Sequence, residues 1–175
     1  SVPFSQIIYA RVYNSLTGCA NGISNFNAIV NPEPTTENVS NLSFCDDDLD
    51  GDDTNGFVQN IDLDSQITAI LGPLQDPDDF TVTFHETQAD ASVGTDALSS
   101  PYTNTTADQQ TIFVRVVNDD SLCVNDDFTF DVIVNPLPEF TVTSPQIVCL
   151  SGPPLTLFVE NPAAVYDYVW TAPNG

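Results

Sequence analysis

The stretch from Cys45 to Phe57, CDDDLDGDDTNGF, puts Asp46, Asp47, Asp48, Asp50 and Asp52 within seven residues, with Asp53 next. Carboxylates this close repel one another, and no cation stands near them in sequence, so the segment is either a solvated loop or a holder of a metal ion. Asp46, Asp48 and Asp50 followed by Gly51 read D-x-D-x-D-G. Alternate carboxylates on a tightly turning backbone aim at one centre, and the glycine permits the turn. Calcium takes about six to eight oxygens, which an acidic loop can supply; magnesium is a weaker rival because it keeps its waters. The expected calcium ligands are Asp46, Asp48, Asp50, Asp52 and Asp53, with Asp62 or Asp64 as further donors.

Twelfth in that loop is Phe57 rather than a bidentate Glu, and no helices are expected on either side. A complete EF-hand is therefore rejected, and a structural calcium loop carried by β-strands is the expectation. Other chemistries find little support. His85 is the lone histidine and has no nucleophile beside it. On an alternating strand it is expected as a half-exposed surface residue. With 25 acidic residues, a pair of carboxylates spaced for glycoside hydrolysis means nothing by itself. The chain has no lysine, which removes Schiff-base chemistry. No enzyme is expected.

The charge excludes whole classes of partner. Arg11 and Arg115 are the only strong cations, and the formal net charge is −23. Nucleic acids and anionic membrane surfaces need clustered Lys and Arg, so neither is expected as a partner. No apolar run reaches the ~20 residues of a membrane helix. Apolar residues still make up 41% of the chain, enough for a real core. Four cysteines, Cys19, Cys45, Cys123 and Cys149, lack CxxC spacing, and with a single histidine they do not form a zinc site. Their even number points to disulfides and an oxidising compartment.

An internal repeat organises the chain. Residues 6–34, QIIYARVYNSLTGCANGISNFNAIVNPEP, align without a gap to 110–138, QTIFVRVVNDDSLCVNDDFTFDVIVNPLP, with 13 of 29 positions identical. The offset is 104 residues, and the same offset separates Cys45 from Cys149. The expected organisation is 1–34 as the C-terminal part of a preceding repeat, 35–138 as a complete repeat with the acidic loop, and 139–175 as the N-terminal part of a following one. The last opens CLSGPPL where the complete repeat has CDDDLDG, so calcium belongs to the middle unit alone. Proline-bearing linkers, NPEP and NPLP, end strands and make semi-rigid joints. Period-two runs such as DFTVTFHET, QTIFVRVVN, DFTFDVIVN and EFTVTS predict strands, the second and third joined as a hairpin. Ser65 is expected to cap one short helix over QITAIL, with Gly72 past its end. The fold class is all-β: tandem immunoglobulin-like β-sandwich domains of about 100 residues each.

CDDDLDG, DPDDFTVTFHETQADASVGTDAL, SPYTNTT, QTIFVRVVN and VNPLP together resemble repeats of very large cell-surface adhesins of Bacteroidota. PQIVCLSGPPLTLFVENPAAVYDYVWTAPNG is similar to the opening of a related immunoglobulin-like or PKD-like unit. The resemblance implies an extracellular, cell-surface location, type 9 secretion, and a role in gliding or attachment.

Two disulfide schemes compete: Cys45 with Cys123 inside the complete unit, leaving Cys19 and Cys149 to partners outside the sequence, or Cys19 with Cys45 and Cys123 with Cys149. The first is favoured, because a strand, a linker and another strand separate the partners of the second. Asn38, Asn41 and Asn104 sit in N-x-S/T sequons, which N-rich chains produce by chance, and Asp120-Ser121-Leu122 matches a bacterial O-glycosylation pattern at Ser121. Trp170 is expected in a sandwich core more than against a sugar. Arg11 and Arg115 are expected to pair with acids on the outer face. The functional expectation is a stalk segment of an extracellular adhesin or filament, stiffened by calcium, disulfides and proline linkers, whose partners are neighbouring repeats, with any glycan or protein ligand bound elsewhere along the chain. The alternatives are a carbohydrate- or protein-binding module and a filament subunit completed by strand addition from another chain.

Overall fold

The computed structural model describes residues 4–142, 151–152, 156–160 and 162–171. Its centre is a four-stranded sheet in the order β3-β6-β5-β4, built from β3 (Leu42–Cys45), β4 (Phe80–His85), β5 (Gln109–Asn118) and β6 (Val124–Asn135). β5 and β6 form the expected antiparallel hairpin, β4 lies antiparallel along β5, and β3 runs parallel to β6. Alternation decides which face is buried. Ile112, Val114 and Val116 of β5, Phe130, Val132 and Val134 of β6 and Phe84 of β4 all point into one core. Phe84 and Phe130 meet edge to face, ring centres 6.0 Å apart.

The layer opposite the sheet is largely irregular backbone. Val58, Ile61, Leu63 and Tyr102 come from segments outside the named strands, and Ile61 and Tyr102 exchange a pair of 2.8 Å backbone hydrogen bonds. Ile70 and Leu71 come from the short helix α1 (Ile67–Leu71). The result is an all-β, sandwich-like fold whose second layer is a two-residue bridge and helical turns rather than long strands. Gly72 ends α1 at φ +68°, as expected, but Ser65 does not cap it: Ser65 lies inside the short turn Asp64–Gln66 that runs into α1, and no side chain caps either element. Asp62 Oδ1 accepts the Ser65 N–H at 3.2 Å, and the Ser65 hydroxyl donates to the Asp62 carbonyl.

Two sequence expectations are corrected on the other face of the sheet. α2 (Gln88–Val93) covers it, and His85 there is fully buried rather than half-exposed. The Thr95 carbonyl can only accept, so His85 Nδ1 carries the proton and donates to it at 2.8 Å, while Nε2 lies 2.9 Å from the Thr83 hydroxyl. Arg115 does not pair with acids; its guanidinium donates to the Ala91 and Ser92 carbonyls at the C-terminus of α2. A cation at that end satisfies orphan carbonyls and complements the helix dipole.

Before this domain, β1 (Phe4–Ala10) and β2 (Ser24–Val30) form a separate hairpin; after it, β7 (Thr141–Val142) pairs with β8 (Val159–Glu160). The β1–β2 register repeats that of β5–β6 pair for pair: Ala10 faces Ser24 as Val114 faces Phe128, and Ile8 faces Phe26 as Ile112 faces Phe130. The turns also match. Asn14 N–H donates to the Cys19 carbonyl and Asn118 N–H to the Cys123 carbonyl, with Gly18 and Leu122 both at positive φ. Phe26 is 58% exposed, however, where Phe130 is 3% exposed, because no second layer covers the first hairpin.

Phe84→Ala is expected to cost about 3–5 kcal/mol of stability, since it opens a cavity in the middle of the core. Val93→Ala, at an exposed position of α2, is expected to stay within about 0.5 kcal/mol. Urea unfolding of the two variants reads the difference.

Candidate functional site

The acidic loop is fastened at its base by Asp46, which is buried and stands apart from its neighbours. Asp46 N–H donates to the Asn135 carbonyl at 2.8 Å, continuing the β3–β6 ladder by one residue. Its carboxylate accepts from the Gly56 N–H at 2.7 Å and from the Asp47 N–H at 2.9 Å. Gly56 is the return point of the loop. Its carbonyl accepts from the Asp108 N–H and from Asn104 Nδ2, and a Cβ there would lie 2.5 Å from Asp108 Oδ1. With φ at +77° and no space for a side chain, only glycine fits.

Sequence reading missed the buried clamp behind Gly56. Asn104 Oδ1 accepts from Val58 N–H at 2.7 Å, and its Nδ2 also donates to the Thr106 carbonyl. In the sequence it stands out only as a chance sequon, and in the structure it is 3% exposed. Gln110 beside it accepts from Thr105 N–H and donates to the Tyr102 hydroxyl, which in turn donates to Glu86 Oε1. Burial raises the pKa of Tyr102. The sequence signal for it is Gln110, a lone polar side chain on the buried face of an otherwise apolar strand, which the pattern reading passed over.

The other aspartates turn the loop upon itself. Asp47 Oδ1 accepts from Leu49 N–H, Asp50 Oδ1 from Asp52 N–H, and Asp52 Oδ1 from the N–H and hydroxyl of Thr54. These are the short side-chain-to-backbone turns that Asp favours. Asn55 Nδ2 donates to Asp50 Oδ2 at 2.8 Å and is the main reason the Asp50 pKa is lowered. Asp48, Asp50, Asp52 and Asp53 remain exposed, and among the described residues no three acidic or other metal-binding side chains converge on one point. Asp62 stands apart, with one oxygen on Ser65 and the Ser100 hydroxyl.

The cysteines are distributed differently from the favoured pairing. Cys45 lies opposite Asn135 at one end of β6, and Cys123 immediately precedes Val124 at the other. A twelve-residue strand separates them by roughly 40 Å, whereas bridged Cα atoms stand about 4–7 Å apart, so a Cys45–Cys123 disulfide within the domain is excluded. Both are free, as is the exposed Cys19; Cys149 lies outside the described residues. Ser121 is half-buried in the turn before Cys123, its hydroxyl 3.4 Å from the Cys123 N–H. Trp170, half exposed, lines an apolar cleft of about 440 Å³ with Phe140, Val142, Tyr166 and Tyr168.

Asp46→Ala is expected to cost about 1–3 kcal/mol, because it strands a buried Gly56 N–H, while Asp48→Ala in the same loop is expected to stay within about 0.5 kcal/mol. Chemical denaturation of both variants checks this. Because the Asp50 pKa is depressed, its contribution is present above the usual carboxylate range and is lost as pH falls through the lowered value. Asn55→Ala is expected to move the Asp50 titration, followed by carboxyl-carbon NMR, up toward 3.8.

The model of one protein family, described as the Flavobacterium inter-domain disulphide bond domain, matches residues 41–138, the span of the four-stranded domain. No curated protein and no solved structure matches. Among the described residues no helix is long and apolar enough to cross a membrane. A match over more than half of its length makes the chain a member of the Flavobacterium inter-domain disulphide bond domain family.

Proposed function

We propose that this chain is a spacer segment of a longer extracellular protein, a stalk in which units of the 42–135 kind are strung end to end. Membership in a disulphide-forming family supports an oxidising location outside the cytoplasm. The observation that carries the spacer reading is where the chain comes in and leaves. The incoming linker is held beside the first residues of β6, and the outgoing one follows directly from its last residue. Asn125 Nδ2 donates to the Pro34 carbonyl at 2.9 Å, and Pro34 is buried. Gln75 grips Thr35 from both sides, accepting its N–H and donating to its carbonyl. Pro136 begins the outgoing linker one residue past β6. Between Asn125 and Asn135 the strand advances roughly 33 Å, so each unit adds its length to the chain instead of folding back.

The matched register of the β1–β2 and β5–β6 hairpins supports a preceding unit of the same build. The bare face of the first hairpin then belongs to that unit's core, with Ile8 and Phe26 taking the places of Ile112 and Phe130. In this reading the protein does mechanical rather than catalytic work, and surface attachment through an adhesin remains the wider role consistent with it. Calcium enters as a stiffener of the acidic loop through the exposed Asp48, Asp50, Asp52 and Asp53.

Small-angle scattering tests the arrangement. A single compact body of this length has a radius of gyration of about 16 Å. In-line units predict a clearly larger value and an elongated distance distribution, and a value near 16 Å contradicts the spacer reading. Gln75→Ala combined with Asn125→Ala is expected to broaden that distribution by freeing the incoming linker. For calcium, a melting temperature that rises at millimolar calcium and loses the rise in Asp48→Ala with Asp50→Ala supports the ion; unchanged melts remove it.

A further inference from the structure

Behind the acidic loop, four polar side chains that the spacer role leaves unused converge on one amide. Gln110 is 6% exposed on the core face of β5, and Thr105 stands at the rim of the same pocket. The backbone between them doubles back: Asp108 adopts φ +65°, and the Gln109 N–H donates to the Ala107 carbonyl at 2.7 Å. Asn104 ties this turn from inside, its Nδ2 donating to the Thr106 carbonyl at 2.9 Å. Gln110 Oε1 accepts from the Thr105 N–H at 2.7 Å and from the Thr106 N–H at 3.4 Å. Gln110 Nε2 lies 3.0 Å from the Thr105 hydroxyl and 2.9 Å from the Tyr102 hydroxyl. Both hydroxyls donate to one oxygen, Glu86 Oε1, at 2.9 and 2.8 Å respectively.

We propose that Thr105 and Gln110 join in an intramolecular ester, formed by the chain itself with loss of ammonia. Acyl transfer needs a hydroxyl nucleophile on a base, donors at the carbonyl oxygen and an acid beside the leaving group. Glu86 is the base, hydrogen-bonded to the Thr105 hydroxyl. The N–H groups of Thr105 and Thr106 receive the charge that develops on Oε1. The acid is Tyr102, whose pKa burial raises, so its hydroxyl stays protonated beside the leaving nitrogen. The last torsion of a Gln side chain is soft, so the carbonyl carbon turns its face to the Thr105 oxygen without moving the backbone. Held in contact, the two groups react in a unimolecular step.

The step balances within these four side chains and needs no other reactant. Thr105 Oγ1 bonds to Gln110 Cδ, and its proton passes to Glu86. The carbonyl electron pair moves onto Oε1 and returns as the Cδ–Nε2 bond breaks. Tyr102 gives its proton to the nitrogen, which leaves as ammonia, and takes back the proton held by Glu86. The ester pins the segment from Tyr102 to Thr106 to the start of β5. That segment carries Asn104, whose amide grips the Gly56 carbonyl and the Val58 N–H, so the bond secures the clamp at the base of the acidic loop.

Mass spectrometry of the folded chain tests the bond. The chain is expected to be lighter than its sequence by one ammonia. Cleavage after Asp, in denaturant at mildly acidic pH where an ester survives, cuts at Asp108 between the two residues. The expected product is peptide 97–108 still joined to peptide 109–119. The same map separates this loss from a succinimide at Asn21-Gly22 or Asn55-Gly56, which lies on other peptides. Thr105→Val is expected to restore the full sequence mass and two separate peptides, whereas Thr105→Ser keeps them joined. Glu86→Gln is expected to accumulate the joined peptide about 100-fold more slowly, the scale of a lost general base. A folded wild-type chain at its full sequence mass overturns the proposal, as do peptides 97–108 and 109–119 recovered apart. An ammonia loss that maps to Gln110 and survives Thr105→Val overturns it too. Should a variant fail to fold, the wild-type mass and peptide map decide alone.

Discussion

β6 is the constraint from which the rest follows. It lies inside the sheet, with β5 antiparallel on one side and β3 parallel on the other. Its alternating Phe130, Val132 and Val134 supply the middle of the core. Because it is extended and twelve residues long, its ends mark opposite poles, and everything that leaves the domain leaves from one of them. The linkers, the two cysteines and the base of the acidic loop are all placed by this one strand. A helix of the same number of residues would be less than half as long and would have brought the two cysteines much nearer each other.

The acidic loop is best understood as an attachment to the outgoing pole. Its charge density asks for a cation, but the backbone answers part of the demand itself, since N–H groups at Gly56, Asp47, Leu49, Asp52 and Thr54 all find carboxylate oxygens. Charge-assisted hydrogen bonds of this kind are stronger than neutral ones. They explain how four of the loop's six aspartates, Asp46, Asp47, Asp50 and Asp52, are held without a neighbouring lysine or arginine. The loop begins one residue after Cys45, so its geometry and the presentation of that cysteine are coupled.

Much of the fold was legible in the sequence because strands betray themselves by alternation. The β5–β6 hairpin, the buried faces of Phe80, Val82 and Phe84, and the glycine ending α1 all follow from local pattern. What escaped was long-range. His85 looks like a surface residue until α2 is laid over its strand, and nothing local says that a helix of six residues will do so. Arg115 looks like a partner for acids until the free carbonyls of that helix come within reach. The Cys45–Cys123 pairing failed for the same reason. Sequence separation says nothing about which pole a residue occupies, and the parallel β3–β6 pairing, which is what sends Cys45 to the far end, has no local signature. The 104-residue repeat aligns Asn31 with Asn135, and the structure sets Cys123 beside the first and Cys45 opposite the second.

The separation of Cys45 from Cys123 is the most direct test of this account, and the chain carries its own labelling sites. With Cys19→Ser and Cys149→Ser in place, spin labels on the remaining two cysteines report the distance by pulsed dipolar spectroscopy. The account predicts a single distribution centred roughly 40 Å apart, the length of β6. A distance below about half that value, or a disulfide forming between the two before labelling, would put both cysteines at one pole and contradict it.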